Sequence, residues 1–113
     1  MTRQEIEFLA RQFLAAYASK DIERISEMFD EMVILRDWNY EVVGFDAAVV
    51  EFKKNFDEAQ TLELDIKNIF THDSSAAVEL EVVVNRDVKL HVVDVISFNA
   101  VGKVTSVVAY KGL

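Results

Sequence analysis

The chain has no cysteine, no proline, three glycines and one tryptophan in 113 residues. Without cysteine, disulfides and thiolate metal sites are excluded, and the absence fits a reducing compartment. With no proline and little glycine, no stretch has the composition of a linker, so a single domain over residues 1–113 is expected. Positive charge is scarce: twelve Lys and Arg stand against twenty Asp and Glu, a net charge of −8. Nucleic acid and anionic membrane both require a positive patch, so neither is expected as a partner. No apolar run approaches the length of a membrane span. The start Met1-Thr2-Arg3-Gln4-Glu5 lacks the apolar core of a signal peptide, so the cytoplasm is the expected location. There is no glycine-rich phosphate loop and no Gly-x-Ser-x-Gly elbow. His72 and His91 each lack a second histidine at ligand spacing, and neither a metal nor another cofactor is expected.

Hydrophobic residues make up 51% of the chain, enough for one buried core. Thr2-Arg3-Gln4-Glu5 has the form of a capping box. Ile6, Leu9, Ala10, Phe13, Leu14 and Tyr17 follow at helical spacing. A second short helix fits Asp21 to Phe29, and a third runs from about Phe45 to Ala59, with Val49, Phe52 and Phe56 inward. Met32 to Arg36 and Tyr40 to Val43 read as short strands. From Leu62 onward the pattern is all strand, with turns at His72-Asp73-Ser74-Ser75, Asn85-Arg86-Asp87 and Asn99 to Gly102. Helices first and a meander of long antiparallel strands after them make an α+β layout, with the helices on one face of a curved sheet.

Asp94 stands out within Leu90-His91-Val92-Val93-Asp94-Val95-Ile96-Ser97-Phe98. Side chains alternate along a strand, so Asp94 shares a face with Leu90, Val92, Ile96 and Phe98. A carboxylate there must be paired, protonated or lining a cavity, because burying an unpaired charge is very costly. The opposite face is expected to carry Ile69, Val83, Val93, Val95, Val107 and Ala109. The helices cover only one face, so this second apolar face is expected to meet another subunit.

Phe13-Leu14-Ala15-Ala16-Tyr17 followed by Asp21 resembles the first helix of the NTF2-like superfamily. Met28-Phe29-Asp30, Gly44-Phe45-Asp46-Ala47-Ala48, Asp94 with Phe98, and Gly102-Lys103-Val104 continue the likeness over nearly the whole chain. Within the superfamily the chain resembles the SnoaL-like and ketosteroid-isomerase-like branch. The resemblance implies a cone-shaped α+β fold, N-terminal helices packed on a strongly curved antiparallel sheet around a pocket, and a homodimer through the sheet. It implies little about chemistry, because the superfamily carries isomerases, cyclases, dehydratases, hydrolases and non-catalytic binding domains.

Two carboxyls match positions that the resemblance makes functional. Asp37 falls where the steroid isomerases carry a proton-shuttling carboxylate; Val33, Leu35 and Asp37 share one strand face. Asp94 falls where they carry a carboxylic acid kept neutral by apolar surroundings. Two carboxyls in unlike environments can divide the roles of base and acid donor. The plainer alternatives are a solvated turn aspartate at 37 and a structural acid paired with a basic residue or backbone donor at 94. Three positions depart from the isomerase pattern. Phe13 stands where the isomerases place an oxyanion-hole tyrosine, Trp38 where a proline follows the base, and Lys53 where a supporting tyrosine sits. Tyr17, one turn beyond Phe13 on the same helix face, can supply a hydroxyl instead, or be a core tyrosine with its hydroxyl at the rim. Phe13, Trp38, Phe52 and Phe56 are candidates to line a ligand pocket, or plain core.

The reading that results is a small-molecule-binding domain with an apolar pocket. Its catalytic candidates are Asp37, Asp94 and Tyr17. Its partner is a small hydrophobic molecule, and it acts as a cofactor-independent isomerase or lyase. The alternative is a ligand-binding or dimerisation domain without chemistry.

Overall fold

A computed structural model describes residues 1–113. Three helices, α1 (Arg3–Ala18), α2 (Ile22–Met28) and α3 (Phe45–Glu58), pack on six strands. The strands are β1 (Phe29–Arg36), β2 (Glu41–Val43), β3 (Leu62–His72), β4 (Ser75–Val84), β5 (Val88–Phe98) and β6 (Val104–Lys111). The expected capping box starts α1: the Thr2 hydroxyl accepts from the Glu5 amide, and the Glu5 carboxylate accepts from the Thr2 amide. Asp21 caps α2 by accepting from the Arg24 amide. Gly44 leads into α3 at φ 101°, a backbone conformation that favours glycine.

The sheet order is β2-β1-β6-β5-β4-β3. Neighbours are antiparallel except β1 and β6, which run parallel, so the sheet is mixed where an all-antiparallel one was expected. The reason is topological. After the β1–β2 turn the chain leaves the sheet through α3, and the β3–β6 meander then returns its last strand to the free side of β1. One core cluster lies between the layers. Ile6, Ala10 and Phe13 of α1, Ile25 of α2 and Phe52 of α3 pack against Val33, Val78, Leu80 and Ile96 of the sheet.

Two bulges correct the expected faces. In β3 the register slips between Ile66 and Asn68, which turns Ile69 inward and Phe70 outward. A one-residue slip exchanges the faces of everything beyond it. At the start of β6, Phe98 pairs with Val104 but Ser97 with Ser106, so Val107 and Ala109 face inward beside Ile96 and Asp94. Ile69, Val107 and Ala109 therefore leave the outer face. One outer register row is Val108, Val95, Ala77 and Phe70.

The end of α3 is tied to α1 by one side chain. Lys20, at φ 58°, donates through Nζ to the carbonyls of Ala59 and Gln60, the latter at 3.2 Å. A cation at a helix C-terminus satisfies orphan carbonyls and complements the helix dipole. Asn85 secures the same segment by accepting from the amides of Gln60 and Thr61. Lys20→Met is expected to lower unfolding free energy by about 1.5–3 kcal/mol, the range for hydrogen bonds to charged groups. Urea denaturation measures it, and an unchanged midpoint rejects this role for Lys20.

Candidate active site

Register brings the two aspartates together. Asp94 of β5 lies opposite Ala109 of β6. On the other side of β6, Arg36 of β1 lies opposite Val108, so Asp37, the next residue, comes level with Ala109. Strands lie about 4.8 Å apart, which puts the two aspartate backbones roughly 10 Å from each other across Ala109. A methyl group is all that stands between them on this face.

Above this spot lies a cavity of about 310 Å³. Sixteen of its 22 lining residues are hydrophobic, so a ligand inside would be held mainly by apolar contact. Phe13 and Tyr17 of α1, Phe52 of α3, Leu35 of β1, Leu80 of β4 and Val92 of β5 form its walls. Trp38, 44% exposed, stands at the rim with the Lys111 ammonium 5.9 Å from its ring centre. Phe56 does not reach the cavity. Its ring packs edge-on against Tyr17 at 5.1 Å and beside Phe52 at 6.1 Å, so it supports the wall from behind. Asp37, Asp94, Tyr17, Phe13, Trp38 and Phe52 thus meet around one space.

Asp94 borders the cavity among Val78, Val92 and Ala109, with no hydrogen bond or ion pair within the protein. The paired structural acid is therefore not what the fold contains. Burial first, and the charge of Asp37 second, push its carboxyl from the usual 3.8 up to about 7. Near neutrality it is substantially protonated and can donate an O–H. Asp37 is in a different state of engagement. Its Oδ1 accepts from the amides of Asn39 at 2.7 Å and Tyr40 at 3.2 Å, the turn role that its residue type predicts. The same residue borders the cavity, and Oδ2 has no hydrogen-bond partner in the protein.

Polar residues that sequence reasoning passed over also face this space, Tyr40 and Asn55 among them. The Asn55 amide donates to the Tyr17 hydroxyl at 3.4 Å. Burial pushes Tyr17 up to about 12, with that hydrogen bond opposing and the charges of Asp94 and Asp37 adding. Tyr40 is raised for the same leading reason, burial. A signal for Asn55 was present: it occupies the inward stripe of α3 between Phe52 and Phe56, where a polar residue is out of place. No group of three or more His, Cys, Asp or Glu side chains is arranged to hold a metal ion. No helix is long and apolar enough to cross a membrane.

Residues 10–107 match the SnoaL-like domain family. The chain belongs to that family. Among solved structures, this SnoaL-like domain is similar to a candidate ketosteroid isomerase from Kribbella flavida, with TM-score 0.84, 16% identity, and coverage of 97% of this chain and 79% of that one. It is similar to a candidate isomerase of the SnoaL-like family from Agrobacterium tumefaciens, with TM-score 0.82, 17% identity, and coverage of 97% and 99%. It is also similar to an epoxide hydrolase of M. tuberculosis, with TM-score 0.82, 14% identity, and coverage of 96% and 84%. At such identities the likeness establishes an NTF2-like fold and leaves the reaction open. Among curated proteins, none matches the chain in sequence.

The raised Asp94 carboxyl has a signed consequence for stability. The folded state holds this proton more tightly than the unfolded state does, so the stability that this group contributes is full below about pH 4. It declines as pH rises from 3.8 toward 7, by up to about 4 kcal/mol. Asp94→Asn should flatten urea-unfolding free energy across that window. A wild-type profile already flat between those limits rejects the assignment.

Proposed function

We propose that the protein binds a small, largely apolar molecule carrying a carbonyl, and acts on it as a cofactor-independent isomerase or lyase. The observation that carries this reading is the pair Asp37 and Asp94, flanking Ala109 at one apolar cavity and held in unlike environments. With the carbonyl oxygen at Asp94, the protonated acid donates a hydrogen bond to it. Asp37 then removes a proton from the carbon alpha to the carbonyl. The electron pair moves into the carbon–oxygen unit, and the oxyanion that develops is stabilised where it forms. Returning the proton to a different carbon completes an isomerisation; loss of a β-substituent completes an elimination. The largely apolar walls make a setting of low polarity, which strengthens both interactions. The missing cysteines favour a cytoplasmic setting for this chemistry.

A binding role without chemistry is the second reading. It is favoured by Phe13, which has no hydroxyl, and by the turn that already engages Asp37 Oδ1. Hydrogen–deuterium exchange of the methyl protons of 2-acetylnaphthalene separates the two. The wild type should bind the ketone and speed the exchange, while Asp37→Asn should bind it at similar affinity with exchange returned to the buffer rate. Binding without any acceleration in the wild type decides for the second reading. Ala109→Leu should fill the gap between the aspartates and weaken binding at least tenfold, because the added side chain competes for the same space.

A homodimer through the outer sheet face belongs to the same proposal. Its support is the row Val108, Val95, Ala77 and Phe70, flanked by Val93 and Tyr110, with Phe70 62% and Tyr110 60% exposed. Monomeric proteins seldom leave such a patch uncovered. Sedimentation at micromolar concentration should give a dimer for the wild type and a folded monomer for Val95→Lys. A monomeric wild type ends this part of the proposal.

A further inference from the structure

Tyr17, Tyr40 and Asn55 have no part in the proton transfer above. Tyr17 comes from α1, Asn55 from α3 and Tyr40 from the turn after β1, yet all three border one space. A tyrosine hydroxyl has one proton to donate and two lone pairs that accept. The Asn55 amide donates to the Tyr17 oxygen at 3.4 Å, and Tyr40 borders the same space. An oxygen that receives a bond from one side directs its own proton away from that donor. The Tyr17 hydroxyl makes no other hydrogen bond within the protein. Tyr17 is half-buried and borders the cavity, so its proton is free for an acceptor in that space.

The charge around the cavity narrows what that group is. Asp37 and Glu58 border it, and its one cation, Arg36, lies 3.7 Å from Glu41 in an exposed ion pair. An anionic ligand would find no unpaired cation among the lining residues, Lys111 standing over Trp38 at the rim, and would face carboxylates. A neutral acceptor oxygen meets the Tyr17 hydroxyl donor and no repulsion.

We propose that Asn55 is a positioning residue that aims the Tyr17 hydroxyl proton into the cavity, giving the pocket a further donor that selects neutral ligands bearing an acceptor oxygen. This rests on the pocket reading given under Proposed function and adds to it a second hydrogen-bond donor for the ligand. The selecting residue is the asparagine, because it sets the direction in which the Tyr17 hydroxyl can donate. An aspartate in its place would accept from Tyr17 and turn its proton away from the ligand.

Three naphthalenes of one shape test it on Asp94→Ala, in which no acid donor competes for a single oxygen: 2-acetylnaphthalene with a neutral acceptor, 2-ethylnaphthalene with none, and 2-naphthoate with an anionic one. Titration calorimetry on that variant should rank acetyl over ethyl by about tenfold, the effect of one good hydrogen bond, with naphthoate weakest. Adding Asn55→Leu or Asn55→Asp should in each case erase the preference for acetyl over ethyl while 2-ethylnaphthalene binds as before, which also reports that the cavity is intact. The carbonyl stretch of bound 2-acetylnaphthalene should lie at lower frequency in Asp94→Ala than in either double variant, a readout that a purely structural asparagine would not move. An Asp94→Ala protein that binds acetyl and ethyl forms equally, or a preference and carbonyl frequency unchanged in both double variants, overturns the proposal and leaves the pocket reading standing. Failure of every naphthalene to bind the wild type overturns the pocket reading itself.

Discussion

The parallel pairing of β1 with β6 is the contact on which the site depends. Parallel strands cannot be joined by a tight turn, so this pair requires a long crossover, and the intervening α3 and meander supply it. The pairing puts the end of β1 level with Ala109, and the hairpin between β5 and β6 puts Asp94 on Ala109's other side. Neither aspartate would neighbour the other in a sheet where β1 paired only with β2. The smallest side chain on this part of β6 then leaves room between them.

The helices turn that juxtaposition into an environment. Phe13, Phe29, Phe52 and Phe56 pack as a tilted aromatic group with ring centres 5.5–6.1 Å apart, and Tyr17 stacks edge-on against the last two. Such rings bury large areas in fixed geometry, so the wall they form is rigid. Facing it, Asp94 is shielded from bulk water without gaining a charged partner. A carboxyl in that position binds its proton more tightly, and the fold loses stability wherever the proton is removed. An unpaired acid on an apolar cavity wall is a poor structural device, which weights the reading toward a group retained for what it does in the cavity.

The same architecture serves proteins with different chemistries, so the reaction has to be read from the polar groups that line it. Here Asp94 comes from β5, Asp37 and Tyr40 from the turn after β1, Tyr17 from α1 and Asn55 from α3. A molecule among them would be bound by burial and oriented by its oxygens.

The sequence by itself determined the elements, their order, and the inward face of each helix. Thr2-Arg3-Gln4-Glu5 capped α1 as its residue types require, and the three strand turns fall where short polar residues cluster. It also isolated Asp94, because period-two alternation around a lone carboxylate is legible without any long-range information. Its family likeness, carried by the motifs of α1, α3 and β5, holds over residues 10–107. Tertiary structure alone decided the rest. The bulges at Lys67 and Thr105 reversed the faces of Ile69, Val107 and Ala109, since one inserted residue leaves composition unchanged while inverting every side chain beyond it. Phe56 and Phe52 are one turn apart on the same stripe, and only the packing of α3 against Tyr17 placed one at the cavity and the other behind it. Tyr40 and Asn55 read as a strand start and a polar lapse on α3. Their meeting with Tyr17 depends on three segments distant in sequence converging, and local pattern carries no information about that.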